Sequence, residues 1–203
     1  MQLGITLIII IVTAFVSFNG FNKYELKERW IMIPYSVIKY KEWYRVFTHA
    51  LLHADWIHLI FNMYVLYIVG SSVEFRFEQF FGRLQGTGYY IVLYLGGIIV
   101  ATIPSLIRHK NNMIYRSLGA SGAVGAVLFT YILLFPWEEF YAFIPAWVFG
   151  PAYLILEYHL DKRGGSNVAH DAHIFGALFG IIFPILIRPE FLAEFIEQIL
   201  NRF

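Results

Sequence analysis

Six apolar stretches, each near the length of a membrane span, decide what this chain can fold into. They lie near 3–20, 50–70, 88–107, 118–136, 139–158 and 170–188. A helix needs about 20 predominantly apolar residues to cross a bilayer. It also satisfies its own backbone hydrogen bonds where no water can do so. Only 14% of the 203 residues are charged and 59% are hydrophobic, whereas soluble domains carry about a quarter charged residues. The expected fold is an all-α, six-helix polytopic membrane bundle, forming one domain over 1–203.

The segments between the spans fit that frame. Residues 21–48 mix Trp30, Ile31, Met32 and Ile33 with Lys and Arg, which suits a structured loop at the membrane interface. The tail 189–203 has amphipathic spacing and is expected to form a surface helix. The run 3–18 lacks a basic leading segment and a clear cleavage site, so it is read as a retained first helix. Pro136 ends the fourth span, and Pro145 and Pro151 interrupt the fifth. There is no cysteine, which excludes disulfides, thiol catalysis and thiolate metal sites. A net charge of +1 gives no case for a nucleic-acid partner.

Intramembrane polar residues are costly, so each one is a functional candidate. The second span opens "THALLHADWIHLIFNMY", with His49, His53, His58 and Asn62. The fourth opens with Ser121, and the sixth opens "NVAHDAHIFGALFG", with His170, Asp171 and His173. The second, fourth and sixth spans cross in the same direction. Their polar openings therefore share one side of the bilayer and a similar depth. Small residues permit close approach at that level. His173, Gly176 and Gly180 share a face, Ser121 and Gly125 share another, and Gly122 and Ala126 lie on the stripe beside it. Small-xxx-small faces let helices meet backbone to backbone. Packing of the fourth span on the sixth would bring Ser121 within reach of His173, whose neutral imidazole could take the serine proton. His58 and Asn62, four apart on one face, could donate to a developing oxyanion. Backbone N–H groups at the start of the Ser121 helix could do the same.

These motifs, in this order, resemble the rhomboid family of intramembrane serine proteases, from Trp43 to about Gly180. "EWYRVFTHALLHADWIHLIFNMY" is similar to the family's W-x-R element and its His-x-x-x-Asn helix. "GASG" at 119–122 matches G-x-S-G, and "AHIFGALFG" at 172–180 matches A-H-x-x-G. "VEFRFEQFFGR", with Glu74 and Gly82, resembles the turn into the third span. The resemblance implies Ser121 as nucleophile and His173 as general base, without a third acid. It implies an oxyanion hole from His58, Asn62 and the Ser121 N–H, and a backbone bend at Gly119. Gly122, Gly176, His53, Trp43 and Arg45 would be structural supports. The fifth span and the loop after it would form the lateral gate. Some family members place an aromatic where this chain has Gly125, which leaves open what packs on the histidine ring.

The expected activity is endopeptidase hydrolysis of transmembrane protein substrates through an acyl-enzyme, within a lipid bilayer, without metal or cofactor. The expected location is the cell (plasma) membrane. A non-catalytic relative that binds or escorts transmembrane helices is the alternative; a small transporter using the histidines of the second span is another. His49 and His53, four apart, could also be metal ligands, though hydrogen bonds holding the first loop explain them with fewer requirements. Orientation is conflicted. Eleven of the fifteen Lys and Arg residues fall on the side that a cytoplasmic N-terminus would place outside. The positive-inside rule then favours an external N-terminus, whereas the resemblance implies a cytoplasmic one.

Overall fold

The computed structural model describes residues 4–140, 143–163 and 169–202. The first crossing is α1 (Ile5–Asn22). The interfacial loop folds into three short helices, α2 (Tyr24–Trp30), α3 (Pro34–Tyr40) and α4 (Arg45–Thr48). The second crossing starts with α5 (Trp56–Val65), passes a π-helical turn at Leu66–Gly70, and ends with α6 (Ser71–Phe81). The third is α7 (Arg83–His109) and the fourth α8 (Ser121–Leu134). A minimal antiparallel hairpin, β1 (Glu139–Phe140) with β2 (Ile144–Pro145), leads to α9 (Ala146–Arg163). The chain closes with α10 (His170–Ile187) and α11 (Glu190–Leu200).

The fold is the expected polytopic helical bundle, with instructive differences in its spans. Among the described residues, Ile5–Asn22, Trp56–Phe81, Arg83–His109 and His170–Ile187 are long and apolar enough to cross a membrane. α8 has 14 residues, about 21 Å at 1.5 Å per residue, less than the roughly 30 Å hydrocarbon core. It can be short because it is the centre of the bundle, with eleven of its residues buried. Protein, rather than lipid, surrounds it. α9 carries Glu157, Asp161, Lys162 and Arg163 in its C-terminal half.

Two boundaries move for local chemical reasons. The stretch 50–55, assigned above to the second span, is instead a 3₁₀ turn at His49–Leu51 followed by a loop. Asp55 caps α5, its Oδ1 accepting the His58 N–H at 2.8 Å, and an N-capping carboxylate fixes a helix start. The fifth helix begins at Ala146, directly after Pro145, and 139–140 and 144–145 pair as the hairpin. The tail helix forms as expected and docks through Phe191, which is buried against Phe77, Phe80 and Phe81.

Side chains distant in sequence join the helices. Glu74 on α6 accepts the first N–H groups of α1, from Ile5 at 2.6 Å and Thr6 at 2.9 Å. A carboxylate is favourable at that electropositive end. Arg45 is buried and ties down the interfacial loop. Its Nη1 donates to the carbonyls of Glu28 at 2.9 Å and Ile31 at 2.8 Å, and its Nε reaches Glu42 Oε2 at 2.5 Å. Thr48 adds a bond to the Trp30 carbonyl at 2.9 Å. Trp43 is half exposed, so the loop is held mainly by the arginine.

The central contact is between α8 and α10. A Cβ at Gly176 would lie 2.1 Å from the Gly122 carbonyl oxygen, and one at Gly180 would lie 2.0 Å from that of Ala126. No real side chain fits there. Thr130 Oγ1 donates across the same contact to the Gly180 carbonyl at 2.7 Å. Gly122 is closed on its other side by α7, where an added Cβ would meet Ala101 Cβ at 2.3 Å. The contact therefore runs along the Gly122–Ala126 stripe. Gly125 lies beside it, where an added Cβ would have 3.7 Å to the nearest atom, the His173 carbonyl oxygen.

Gly176→Ala and Gly180→Ala are each expected to lower stability by about 1–3 kcal/mol through overpacking. Gly125→Ala is expected to change it little. Unfolding midpoints in detergent, measured side by side, check the contrast.

Candidate active site

Ser121 is the first residue of α8. The turn that delivers it depends on Gly119, whose φ of +126° is a conformation that side-chain-bearing residues rarely adopt. A Cβ there would also lie 2.8 Å from His58 Cε1. The strand-like segment before this turn is anchored by mutual backbone bonds between Met32 and Ser117, and Gly119 N–H donates to the His49 carbonyl at 3.1 Å.

His173 lies one turn into α10, facing that serine. Its Nε2 is 2.8 Å from Ser121 Oγ, across 52 residues of sequence. The glycine contact between α8 and α10 sets this distance. On the opposite edge of the ring, Nδ1 lies 3.1 Å from Glu157 Oε1 on α9. That is ion-pair distance, though off the line of a formed hydrogen bond. Glu157 Oε2 is 2.7 Å from His170 Nδ1. Asp171, the carboxylate nearest in sequence, turns away: its Oδ2 is 2.9 Å from Arg108, which also holds Asp161 at 3.1 Å.

The second span contributes from the other side. His58 Nδ1 accepts a long 3.5 Å contact from the Ala54 N–H. Nε2 lies 3.1 Å from where a Gly119 Cβ would stand. A proton on Nε2, the tautomer that suits the Nδ1 contact, would place a ring N–H beside the serine turn. Asn62 is buried, and its Nδ2 donates to the His58 carbonyl at 2.8 Å. An amide nitrogen has two protons, so one remains for another acceptor.

His53 and His49 are wired into the scaffold. Ser17 Oγ donates to the Leu51 carbonyl at 2.8 Å, so it accepts from His53 Nδ1, also at 2.8 Å. His53 Nε2 is then free to accept the Ala120 N–H at 3.4 Å, next to the nucleophile position. Its ring meets that of His58 edge-on, with centroids 4.9 Å apart. His49 Nε2 lies 3.4 Å from Thr102 Oγ1 on α7. Both His53 nitrogens are thus engaged, and hydrogen bonds account for the two histidines.

Behind Ser121 is a small cavity of about 30 Å³, lined by His49, Thr102, Ser105, Ser117, Ser121 and Gly122 among others. A water needs about 10–15 Å³ by that measure and two to four polar partners; this space supplies both. As for metals, one ligand atom each from Glu157, His170 and His173 lies within 4.8 Å of the others. Carboxylate and imidazole are suitable zinc donors, so this cluster could hold such an ion.

Glu157 was missed in the sequence, although a signal existed. It is a carboxylate in an otherwise apolar run, "AWVFGPAYLILE". In the sequence, the polar layer is read at the openings of the second, fourth and sixth spans. The antiparallel helices reach the same depth at their C-terminal ends. Ser17 on α1, Thr102 and Ser105 on α7, and Glu157 on α9 all lie there.

Known proteins are similar to this chain in sequence. Residues 40–190 match the rhomboid domain. "RHOMBOID-like protein 12, mitochondrial" of Arabidopsis thaliana is 28% identical over 183 residues, 83% of this chain and 53% of that protein. "Rhomboid protease GluP" of Bacillus subtilis is 36% identical over 98 residues, 46% of this chain and 17% of that protein. "Rhomboid protease GlpG" of an Enterobacter species is 33% identical over 96 residues, 47% of this chain and 30% of that protein. The chain thus spans about half the length, or less, of these relatives. With a rhomboid domain over most of its length, this multi-pass membrane protein belongs to the rhomboid family.

Proposed function

We propose that the protein is an intramembrane serine endopeptidase that hydrolyses peptide bonds in or near transmembrane segments of other membrane proteins. The observation that carries this reading is the 2.8 Å contact between His173 Nε2 and Ser121 Oγ. A serine hydroxyl is a weak nucleophile until an adjacent base takes its proton.

The chemistry follows from that pair. Ser121 Oγ bonds to the scissile carbonyl carbon as its proton passes to His173 Nε2. Charge moves to the carbonyl oxygen, where the His58 ring N–H, the Asn62 amide and the N–H groups of the first turn of α8 can donate to it. The C–N bond then breaks, and the imidazolium gives its proton to the leaving amine. Water attacks the acyl-enzyme with His173 again acting as base. The cavity beside Ser121, with His49, Thr102 and Ser105 in its lining, is a place to hold such a water. The substrate must leave its helical conformation first, because a helical amide is hydrogen-bonded and shielded. Residues 1–203 acting as one catalytic domain, with α9 as the side of substrate entry, belong to the same reading.

The membrane is proposed to be the cell membrane. Two bacterial proteins named as rhomboid proteases support the reading. Other relatives are named as mitochondrial or chloroplastic, which makes an organelle membrane the specific rival; imaging of a tagged chain separates the two. The non-catalytic alternative has its own support, since several relatives are named only as rhomboid-like. It expects helix binding that survives loss of Ser121.

Reconstituted in vesicles with single-span model substrates, the wild type is expected to cleave near a transmembrane segment. Ser121→Ala and His173→Ala are each expected to lower the rate by about 10³-fold or more. Helix binding without cleavage by folded wild type would support the escort reading instead. Among supporting residues, His58→Ala is expected to cost about 10²-fold in kcat, as loss of one oxyanion donor does elsewhere. Asn62→Ala is expected to cost less, because that amide also serves the His58 carbonyl. Turnover of the same substrate by each variant checks the order.

A further inference from the structure

We propose that Glu157 is the positioning residue for the base: held by α9 against Nδ1 of His173, it keeps the imidazole oriented with Nε2 free to accept the Ser121 proton. This rests on the protease reading above and adds to it a carboxylate that the family resemblance does not call for.

The geometry gives three reasons. First, the distances match the job. Nδ1 lies 3.1 Å from Oε1 on one edge of the ring while Nε2 lies 2.8 Å from Ser121 Oγ on the other. A proton on Nδ1 lies within ion-pair distance of a carboxylate, off the line of a formed hydrogen bond, and the unprotonated Nε2 faces the hydroxyl. Second, the carboxylate is itself fixed. Glu157 is 6% exposed, and its other oxygen sits 2.7 Å from His170 Nδ1. A buried carboxylate without partners is costly, so its place between two imidazoles is a constraint on both. Third, no other carboxylate among the described residues pairs with His173. Asp171 is engaged by Arg108, and His58 faces the serine turn from the far side.

The reaction has a use for that charge. As Ser121 Oγ bonds to the carbonyl carbon, its proton moves to Nε2 and His173 becomes imidazolium. Glu157 then stabilises the cation and stays ionised, and the same proton later leaves with the amine. The pair also joins α9 to α10, so the base is oriented only while those helices are packed together.

The cluster of Glu157, His170 and His173 could instead hold a metal ion. An ion on Nδ1 would force the proton onto Nε2 and remove the base. The two roles have opposite consequences, and experiment separates them.

The test uses the full chain, with Glu157→Gln and Glu157→Asp beside wild type and Ser121→Ala. Glu157→Gln is expected to lower kcat about 10²-fold, with KM within about twofold and an unchanged unfolding midpoint. An amide favours the wrong tautomer at such a position. Glu157→Asp is expected to recover about tenfold of that loss. In ¹⁵N-histidine-labelled protein, the His173 signals, identified by their loss in His173→Ala, are expected to report Nδ1–H in wild type and a tautomer mixture in Glu157→Gln. The proposal is overturned if Glu157→Gln keeps kcat within about twofold while Ser121→Ala is inactive. It is also overturned if the loss merely follows the unfolded fraction, or if a chelator raises wild-type activity. If the wild type neither cleaves nor reacts with a serine-directed probe, the protease reading has failed; the tautomer measurement still decides whether Glu157 holds the ring.

Discussion

Everything at the candidate site depends on two helices touching without side chains between them. Gly176 and Gly180 of α10 lie against the carbonyl oxygens of Gly122 and Ala126 of α8, where an added Cβ would come within 2.1 Å or less. Apolar burial cannot drive such a contact in lipid, because the tails are as apolar as the side chains; close packing and interhelical hydrogen bonds do. The Thr130 bond to the Gly180 carbonyl is one of these. Ser121 and His173 lie just above this contact, toward the polar end of each helix. Their 2.8 Å separation follows from glycine spacing on two helices.

Around that pair, the protein builds a polar layer at one depth. His53 joins the end of α1 to the backbone before Ser121, through Ser17 and the Ala120 N–H. His49 joins α7 through Thr102, and Glu157 joins α9 to α10. Each of these groups would be costly alone in hydrocarbon. They pair across the bundle, and each pairing also fixes a helix end. His49 and His53 are thus engaged in hydrogen bonds that hold helix ends in place.

Much of this was legible in the sequence, for identifiable reasons. Span lengths and the low share of charged residues specified a membrane bundle. The spacing of His173, Gly176 and Gly180 gave the packed face, and the common direction of alternate spans gave the shared depth of Ser121, His58 and His173. Other features were hidden. Gly125 looked equivalent to Gly122, and only the crossing of α8 with α10 shows which stripe makes contact. The second span looked as though it began at residue 50, because Asp55 acts as a cap only once the chain turns there. Glu157 ends its apolar run, and the significance of that end emerges only when α9 is placed antiparallel to α10. The short α8 is readable only as the buried centre of the bundle.

The most direct test of the account is reaction of the bilayer-embedded protein with a fluorophosphonate probe, followed by peptide mapping. The contact geometry predicts a single adduct on Ser121, absent in His173→Ala although that variant remains folded. A folded wild type that takes up no probe, while a known serine hydrolase in the same vesicles does, would contradict it. Ser121 would then be a small residue at a helix contact, and the 2.8 Å pair a structural hydrogen bond.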